Sequence, residues 1–312
     1  MNDVSRPKCP ICESDRIKFV GRPQVSKETS SYIRQDFRIA MCRSCIFYFV
    51  HPEIDLTQEE WGKLYGQGYF LENPAWWDRK RAEHRQKRLA WLEQFAVGRI
   101  SRFLDIGCGE GYVLADARAR GWEVNGLDIH DSRKDCAKTD GISFFEGNIF
   151  EAAFPDNHFD AVYLDSVLEH LTDPVNHLKE INRILRDGGT LYVGIPNENC
   201  LFNDFRKIAF TMLGKGNISA RIKPFKSPFH VVGFTERSIK KVLNENNFEV
   251  ARFSIFAGEY EWLKPKLFTR AFFINFCALP VHLAAIPLKK RVYMDAIARK
   301  IVSPSRPGGH VG

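Results

Sequence analysis

Hydrophobic and polar positions change period along the chain. From residue 99 onward, short apolar runs alternate with stretches of helical spacing. Arg102 to Ile106 reads as a buried strand running into glycines, and Tyr112 to Arg120 as a helix stopped at Gly121. Glu123 to Ile129, Ile142 to Glu146, Phe159 to Leu164 and Leu191 to Ile195 read as further strands. Val175 to Leu185 reads as a helix stopped by Gly188 and Gly189, and Glu249 to Phe256 and Val292 to Ile301 close the series. Strand–helix alternation on short connections predicts an α/β fold, a parallel sheet of seven strands with helices on both faces. Two insertions interrupt it, at about 197–230 and 264–290. Residues 1–52 follow another pattern, a hairpin of Ile17 to Arg22 with Tyr32 to Ile39, then a short strand, Ile46 to Val50, closed by Pro52. The predicted division is a small module over 1–52, a helical connector over 53–98 and the α/β domain over 99–312.

Of the 312 residues 44% are hydrophobic and 27% charged, which supports a packed core and excludes wholesale disorder. The net charge of +7 suits an anionic partner without requiring nucleic acid. Met1 to Cys12 is polar and lacks an apolar signal core, so the expected location is cytoplasmic, where thiols stay reduced. Four of the eight cysteines form C-x-x-C pairs, Cys9 with Cys12 and Cys42 with Cys45. In a reducing compartment such pairs point to a tetrahedral zinc site before disulfides. The module is too small to fold on its core alone, and a structural Zn2+ would supply the missing stability.

The sharpest motif is Asp105-Ile106-Gly107-Cys108-Gly109-Glu110-Gly111, at the junction of a strand and a helix. Glycines let backbone approach a ligand where a Cβ would collide. The G-x-G-x-G spacing departs from the dinucleotide G-x-G-x-x-G. A carboxylate at Asp105 would repel a pyrophosphate but attract the ammonium and sulfonium of S-adenosylmethionine. Asp128 ends the next strand, placed to accept from ribose hydroxyls. Asn148 follows the third strand, near the expected adenine edge.

With these residues in place, the segment resembles the class I S-adenosylmethionine-dependent methyltransferases, in particular the group with a late Glu-His motif, here Glu169-His170 after Asp160 to Leu168. The Leu185 to Leu191 turn and the stretch from Phe229-His230 to Phe234-Thr235 and Ser238-Ile239 resemble the same group. The resemblance implies a Rossmann-like methyltransferase fold. It implies S-adenosylmethionine held by Asp105, Gly107, Cys108, Gly109, Asp128, Ile129, Asn148, Ile149 and Asp165. Asn148 departs from the aspartate common there. A hydroxyl acceptor needs a general base, for which His170 and His230 are the candidates; His170 could equally brace its turn. Trp61 to Phe70 resembles the linker of methyltransferases that carry the same zinc-ribbon-like module and modify sugars and surface polysaccharides. The implied acceptor is a small molecule or glycan. An RNA methyltransferase and a non-catalytic cofactor-binding scaffold are the alternatives; nucleic acid is disfavoured because no wider basic surface or nucleotide-specific motif accompanies the fold.

Three stretches leave their roles open. Arg79 to Arg88 holds six Lys or Arg in ten positions and reads as a solvated helix face or an anion contact. The 197–230 insertion interleaves Phe202, Phe205, Phe210, Phe225 and Phe229 with Lys207, Lys215, Arg221, Lys223 and Lys226, a composition suited to an acceptor pocket. Leu267 to Leu288 is interrupted by Arg270, Asn275, Pro280, His282 and Pro287, so it reads as helices packed on the domain or lying in a membrane interface, with a lipid-linked acceptor as the corollary.

Overall fold

A computed structural model describes residues 7–26, 36–55, 57, 60, 75–226, 228–257 and 269–302. The Trp61 to Phe70 stretch and part of the expected N-terminal hairpin lie outside the described residues. The N-terminal module contributes β1 (Ile17–Phe19), β2 (Arg38–Cys42) and β3 (Tyr48–His51), and α1 (Ala75–Phe95) follows. Next come β4 (Arg102–Ile106), α2 (Tyr112–Arg118), β5 (Glu123–Asp128), β6 (Ile142–Glu146), β7 (Phe159–Asp165), α3 (Pro174–Ile184) and β8 (Leu185–Pro196). The chain ends through α4 (Leu201–Met212), β9 (Val232–Gly233), α5 (Glu236–Glu245), β10 (Phe248–Phe256), α6 (Arg270–Ala285) and β11 (Tyr293–Lys300).

The main sheet has seven strands in the order β10-β11-β8-β7-β4-β5-β6. The five from β8 to β6 are parallel, and β11 runs antiparallel to both its neighbours. Phe103 and Leu104 on β4, and Ala161 to Leu164 on β7, are buried on both pleat faces, as strands covered by helices on each side must be. Helix starts are capped as their sequences require. Asp173 accepts from the Asn176 N–H at 3.1 Å before Pro174, and Thr235 and Ser238 cap α5 reciprocally. After β4 the chain builds outward through β5 and β6, then returns to the other flank of β4 as β7. That reversal opens a crevice at the carboxyl ends of β4 and β7, the ligand position of such sheets.

The N-terminal strands form a second sheet, β1-β2-β3-β9. Its fourth strand comes from beyond α4: Tyr48 pairs with Gly233 and Phe49 with Val232. The Thr235 hydroxyl donates to the Ile46 carbonyl at 3.1 Å, Phe37 packs on Phe225 and Phe47 on Phe234. One apolar cluster therefore runs from Ile39 and Phe47 through Val232 and Phe234 to Leu164 and Leu243. The connector helix is equally integrated. Leu89 and Leu92 of α1 are fully buried against Phe103, Tyr163 and Tyr192.

Candidate active site

The glycine turn after β4 folds back on β5: the N–H groups of Gly107 and Cys108 both donate to the Leu127 carbonyl, at 2.7 and 3.2 Å. Gly107 has φ +70°, and a Cβ there would lie 2.5 Å from Val167 Cγ2, so any other residue is strained in backbone and must move the Val167 side chain. Gly109, also at positive φ, donates its N–H to Asp128 Oδ2 at 2.8 Å. Cys108 between them is buried.

Asp105 is 2% exposed. Burial, then the like charges of Asp165 and Asp128, hold its carboxyl well above the usual carboxylate range. Burial also raises Asp128, opposed by the N–H groups of Gly109, His130 and Ile129. The acids around the glycine turn thus reinforce one another's need for positive charge. That donor set fits a ligand bearing an ammonium and a sulfonium, as S-adenosylmethionine does, and disfavours a pyrophosphate. Further along the edge, Ile129 is exposed and Ile149 is buried. Asn148 Oδ1 accepts from the N–H groups of Phe150 and Glu151 at 2.9 and 3.1 Å, which leaves its amide nitrogen as the group able to face a ligand.

Asp165, at the end of β7, meets a residue the sequence reading did not place here. Arg88 of α1 donates to it at 2.6 Å and to the buried Asp295 of β11 at 3.3 Å; Asp295 also accepts from the Tyr192 hydroxyl at 2.6 Å. Arg85, one turn earlier, pairs with Asp116 at 2.7 Å and lies over the Tyr112 ring. The inner end of the basic run is therefore not a solvated face. The legible signal was spacing: Arg85, Arg88, Leu89 and Leu92 fall at i, i+3, i+4 and i+7, on one face.

At the other side of the crevice, one helical turn (Leu168–His170) carries Glu169 and His170, and His230 precedes β9. The Val231 N–H donates to the Glu169 carbonyl at 2.9 Å, and His170 Nδ1 lies 3.3 Å from the Phe229 carbonyl. The imidazoles meet edge-on, 5.1 Å between centroids, and His230 Nε2 lies 3.9 Å from Glu169 Oε1. Both Glu169 oxygens are buried without a hydrogen-bond partner among the described residues. Burial pushes the Glu169 carboxyl up to about 8 and the imidazoles down, His170 to about 4 and His230 to about 3. At neutral pH both histidines are uncharged, and burial disfavours the cationic form of each. Glu198, after β8, is a second buried acid missed from sequence. Burial raises it to about 7 against the pull of Arg221, Arg206 and Lys223.

The aromatics and cations of the 197–230 insertion do not share one pocket. Phe225 is fully buried against the N-terminal module, Phe202 and Phe205 face outward, and Arg221 is held by Asp204 at 2.5 Å. Alternation in sequence carried no information about direction in space.

The two C-x-x-C knuckles converge. Cys9 Sγ lies 3.6 Å from Cys45 Sγ, and Cys12 Sγ lies 3.6 Å from those of Cys42 and Cys45. These distances are too long for disulfides. They match the spacing of about 3.8 Å that four thiolates adopt around a tetrahedral cation with metal–sulfur bonds of about 2.3 Å.

Known proteins agree with this geometry. The family described as a methyltransferase domain matches residues 104–193, from β4 into β8. A ubiquinone biosynthesis O-methyltransferase of Paracidovorax citrulli is 32% identical over 139 residues, covering 40% of this chain and 58% of that one. A demethylmenaquinone methyltransferase of Lysinibacillus sphaericus is 30% identical over 180 residues, covering 53% of this chain and 72% of that one. This chain spans between half and two thirds of the length of the first curated relatives it matches. The fold superposes on the crystal structure of Burkholderia thailandensis 1,6-didemethyltoxoflavin-N1-methyltransferase with a TM-score of 0.52, at 15% identity, over 87% of this chain and 98% of that one. Motif, strand order and relatives converge: the chain belongs to the class I S-adenosylmethionine-dependent methyltransferases.

Proposed function

We propose that this protein transfers the methyl group of S-adenosylmethionine to a small-molecule acceptor, in its finer form a glycan. The observation that carries the reading is the buried Asp105, acted on by Asp165 and Asp128, at a glycine turn of restricted backbone. In this reading Asp105, Gly107, Cys108, Gly109 and Asp165 line the methionine end, Asp128 and Ile129 the ribose, and Asn148 and Ile149 the adenine. The cofactor supplies an electrophilic methyl group. The chain positions both partners, excludes water and receives the acceptor proton. We assign that last role to His230, whose Nε2 faces Glu169, and a bracing role to His170, whose Nδ1 is engaged with the Phe229 carbonyl. Small-molecule acceptors are supported by relatives whose names specify quinones and a rifamycin. The glycan rests on the sequence resemblance of the linker.

The same reading divides the chain into a module over 1–52 holding one structural zinc through Cys9, Cys12, Cys42 and Cys45, a connector over 53–98, and a catalytic domain over 99–312 with insertions at 197–230 and 264–290. The test is a methyl-transfer screen with labelled cofactor against hydroxylated small molecules, sugar nucleotides, lipid-linked glycans and RNA. Transfer to a small molecule or glycan that disappears in His230→Gln, with cofactor binding intact, is the expected result. Failure of the parent to bind S-adenosylmethionine in a calorimeter would reject the activity; preferential transfer to RNA would replace the acceptor class.

A further inference from the structure

Helices α4 and α6, one from each insertion, pack against each other beside the main sheet. The Phe202 ring stacks on His282 at 6.2 Å, the Leu201 N–H donates to the Lys290 carbonyl at 2.9 Å, and the Lys290 ammonium reaches Asp204 at 2.9 Å. Within this pair α4 is turned inside out. Three of its polar residues point inward: Asn203 is buried on Glu198, Asp204 accepts from Arg221 and Lys290, and the Arg206 guanidinium donates to the Arg221 carbonyl. Its apolar residues point outward: Phe205, Ile208, Met212 and Leu213 are 53%, 59%, 82% and 70% exposed. Phe205, Ile208 and Met212 fall at i, i+3 and i+7, the stripe that a helix of a globular domain normally turns to the core. The end of α6 and the turn after it add Leu283, Ile286 and Leu288, each about half exposed.

The charges beside this stripe have one sign. Residues 269–291 contain no Asp or Glu and carry Arg270, Lys289, Lys290 and Arg291. Residues 201–217 contain a single acid, Asp204, already paired. Lys207, Lys215 and Lys289 are exposed. An outward apolar stripe flanked by lysines, with no unpaired acid among residues 201–217 and 269–291, is the composition of an interfacial helix, apolar side among acyl chains and cations among anionic headgroups. Among the described residues no helix is long and apolar enough to cross a membrane. We propose that the α4–α6 face is a docking surface for an anionic lipid bilayer, on which the two helices lie flat. Because α4 leaves the carboxyl end of β8, the docked protein holds the edge carrying Glu198 next to the lipid surface. The proposal stands apart from the methyl-transfer reading, since lipid binding is measured without cofactor or acceptor.

The experiment is co-sedimentation of the full chain with phosphatidylcholine vesicles, with and without phosphatidylglycerol, over a range of salt. Binding is expected only with phosphatidylglycerol, and weaker as salt rises. Each of Lys207→Gln, Lys215→Gln and Lys289→Gln should weaken it about fivefold. Met212→Glu together with Leu213→Glu should weaken it at least about tenfold; circular dichroism and urea unfolding check that these exposed substitutions leave the fold intact. No sedimentation with phosphatidylglycerol vesicles at low salt overturns the proposal, as does parental binding by the folded double variant. A concentration-dependent dimer that the double variant abolishes, without vesicle binding by the parent, assigns the face to a second copy and overturns it equally.

Discussion

Arg88 of α1 and Asp165 at the end of β7 lie 77 positions apart and share a 2.6 Å ion pair, Nη1 to Oδ2. The same guanidinium reaches Asp295 and lies over the Tyr192 ring at 5.2 Å. One cation from the helix preceding the sheet therefore serves acids on β7 and β11. Replacing it with a neutral side chain strands the buried Asp295. Arg88→Met should cost about 3–5 kcal/mol in urea unfolding, and adding Asp295→Asn should restore much of that. Unchanged stability in the single variant would show that the pair holds nothing together.

Asp105 and Asp128 should respond differently to substitution. Asp128→Ala removes the acceptor of the Gly109 N–H and a cofactor partner, and should weaken S-adenosylmethionine binding by about 1.5–3 kcal/mol. Asp105→Asn should weaken it too, yet stabilise the ligand-free protein. The folded-state carboxyl is raised, so the parent loses stability as pH climbs above the unfolded value of about 3.9. Calorimetry paired with thermal unfolding at neutral pH separates the two effects. A destabilised ligand-free Asp105→Asn contradicts the argument.

Glu169 and His230 make opposite contributions to the pH dependence of folding. Glu169 is raised to about 8, so the folded state keeps a proton that the unfolded chain has released; stability should fall as pH rises from about 4.3 to 8. His230 is lowered to about 3, so its stabilising contribution is present above about 6.5 and lost as pH falls from there toward 3. Urea midpoints against pH should flatten on the alkaline side in Glu169→Gln and on the acid side in His230→Gln. Superimposable profiles for parent and both variants would remove the buried-trio account.

Purified protein should carry one zinc per chain, and Cys42→Ser should lose it. Hydrogen exchange should then quicken in β2 and β3, and also in β9, nearly two hundred residues away in sequence. Exchange confined to the first fifty residues would mean that the cysteine cluster does not support the shared sheet.

The sheet was legible because β4 and β7 centre on short apolar runs, Phe103-Leu104 and Ala161 to Leu164, patterns set by burial on both faces. The Asp105 to Gly111 turn was legible because glycine at positive φ has few substitutes. Arg88 was not, because a basic residue reads as solvated until its partners are known, and Asp165 and Asp295 lie 77 and 207 positions downstream. Glu198 was missed for a related reason. Its carboxylate accepts from Asn203 and feels the charge of Arg221, 23 positions away, partners that the local apolar and polar pattern does not encode.

The pairing of β3 with β9 gives the cysteine module an unusual dependence on time. A ribosome emits residues 1–52 long before Val232 and Gly233 exist, so the knuckles can gather a metal while the edge of β3 still lacks its neighbour. Completion waits for the segment that carries His230. An N-terminal truncation at residue 52, a natural choice for someone seeking a minimal catalytic fragment, would leave β9 without a strand to pair with and loosen the chain between Glu169 and α5. The module behaves as a keystone laid first and locked last.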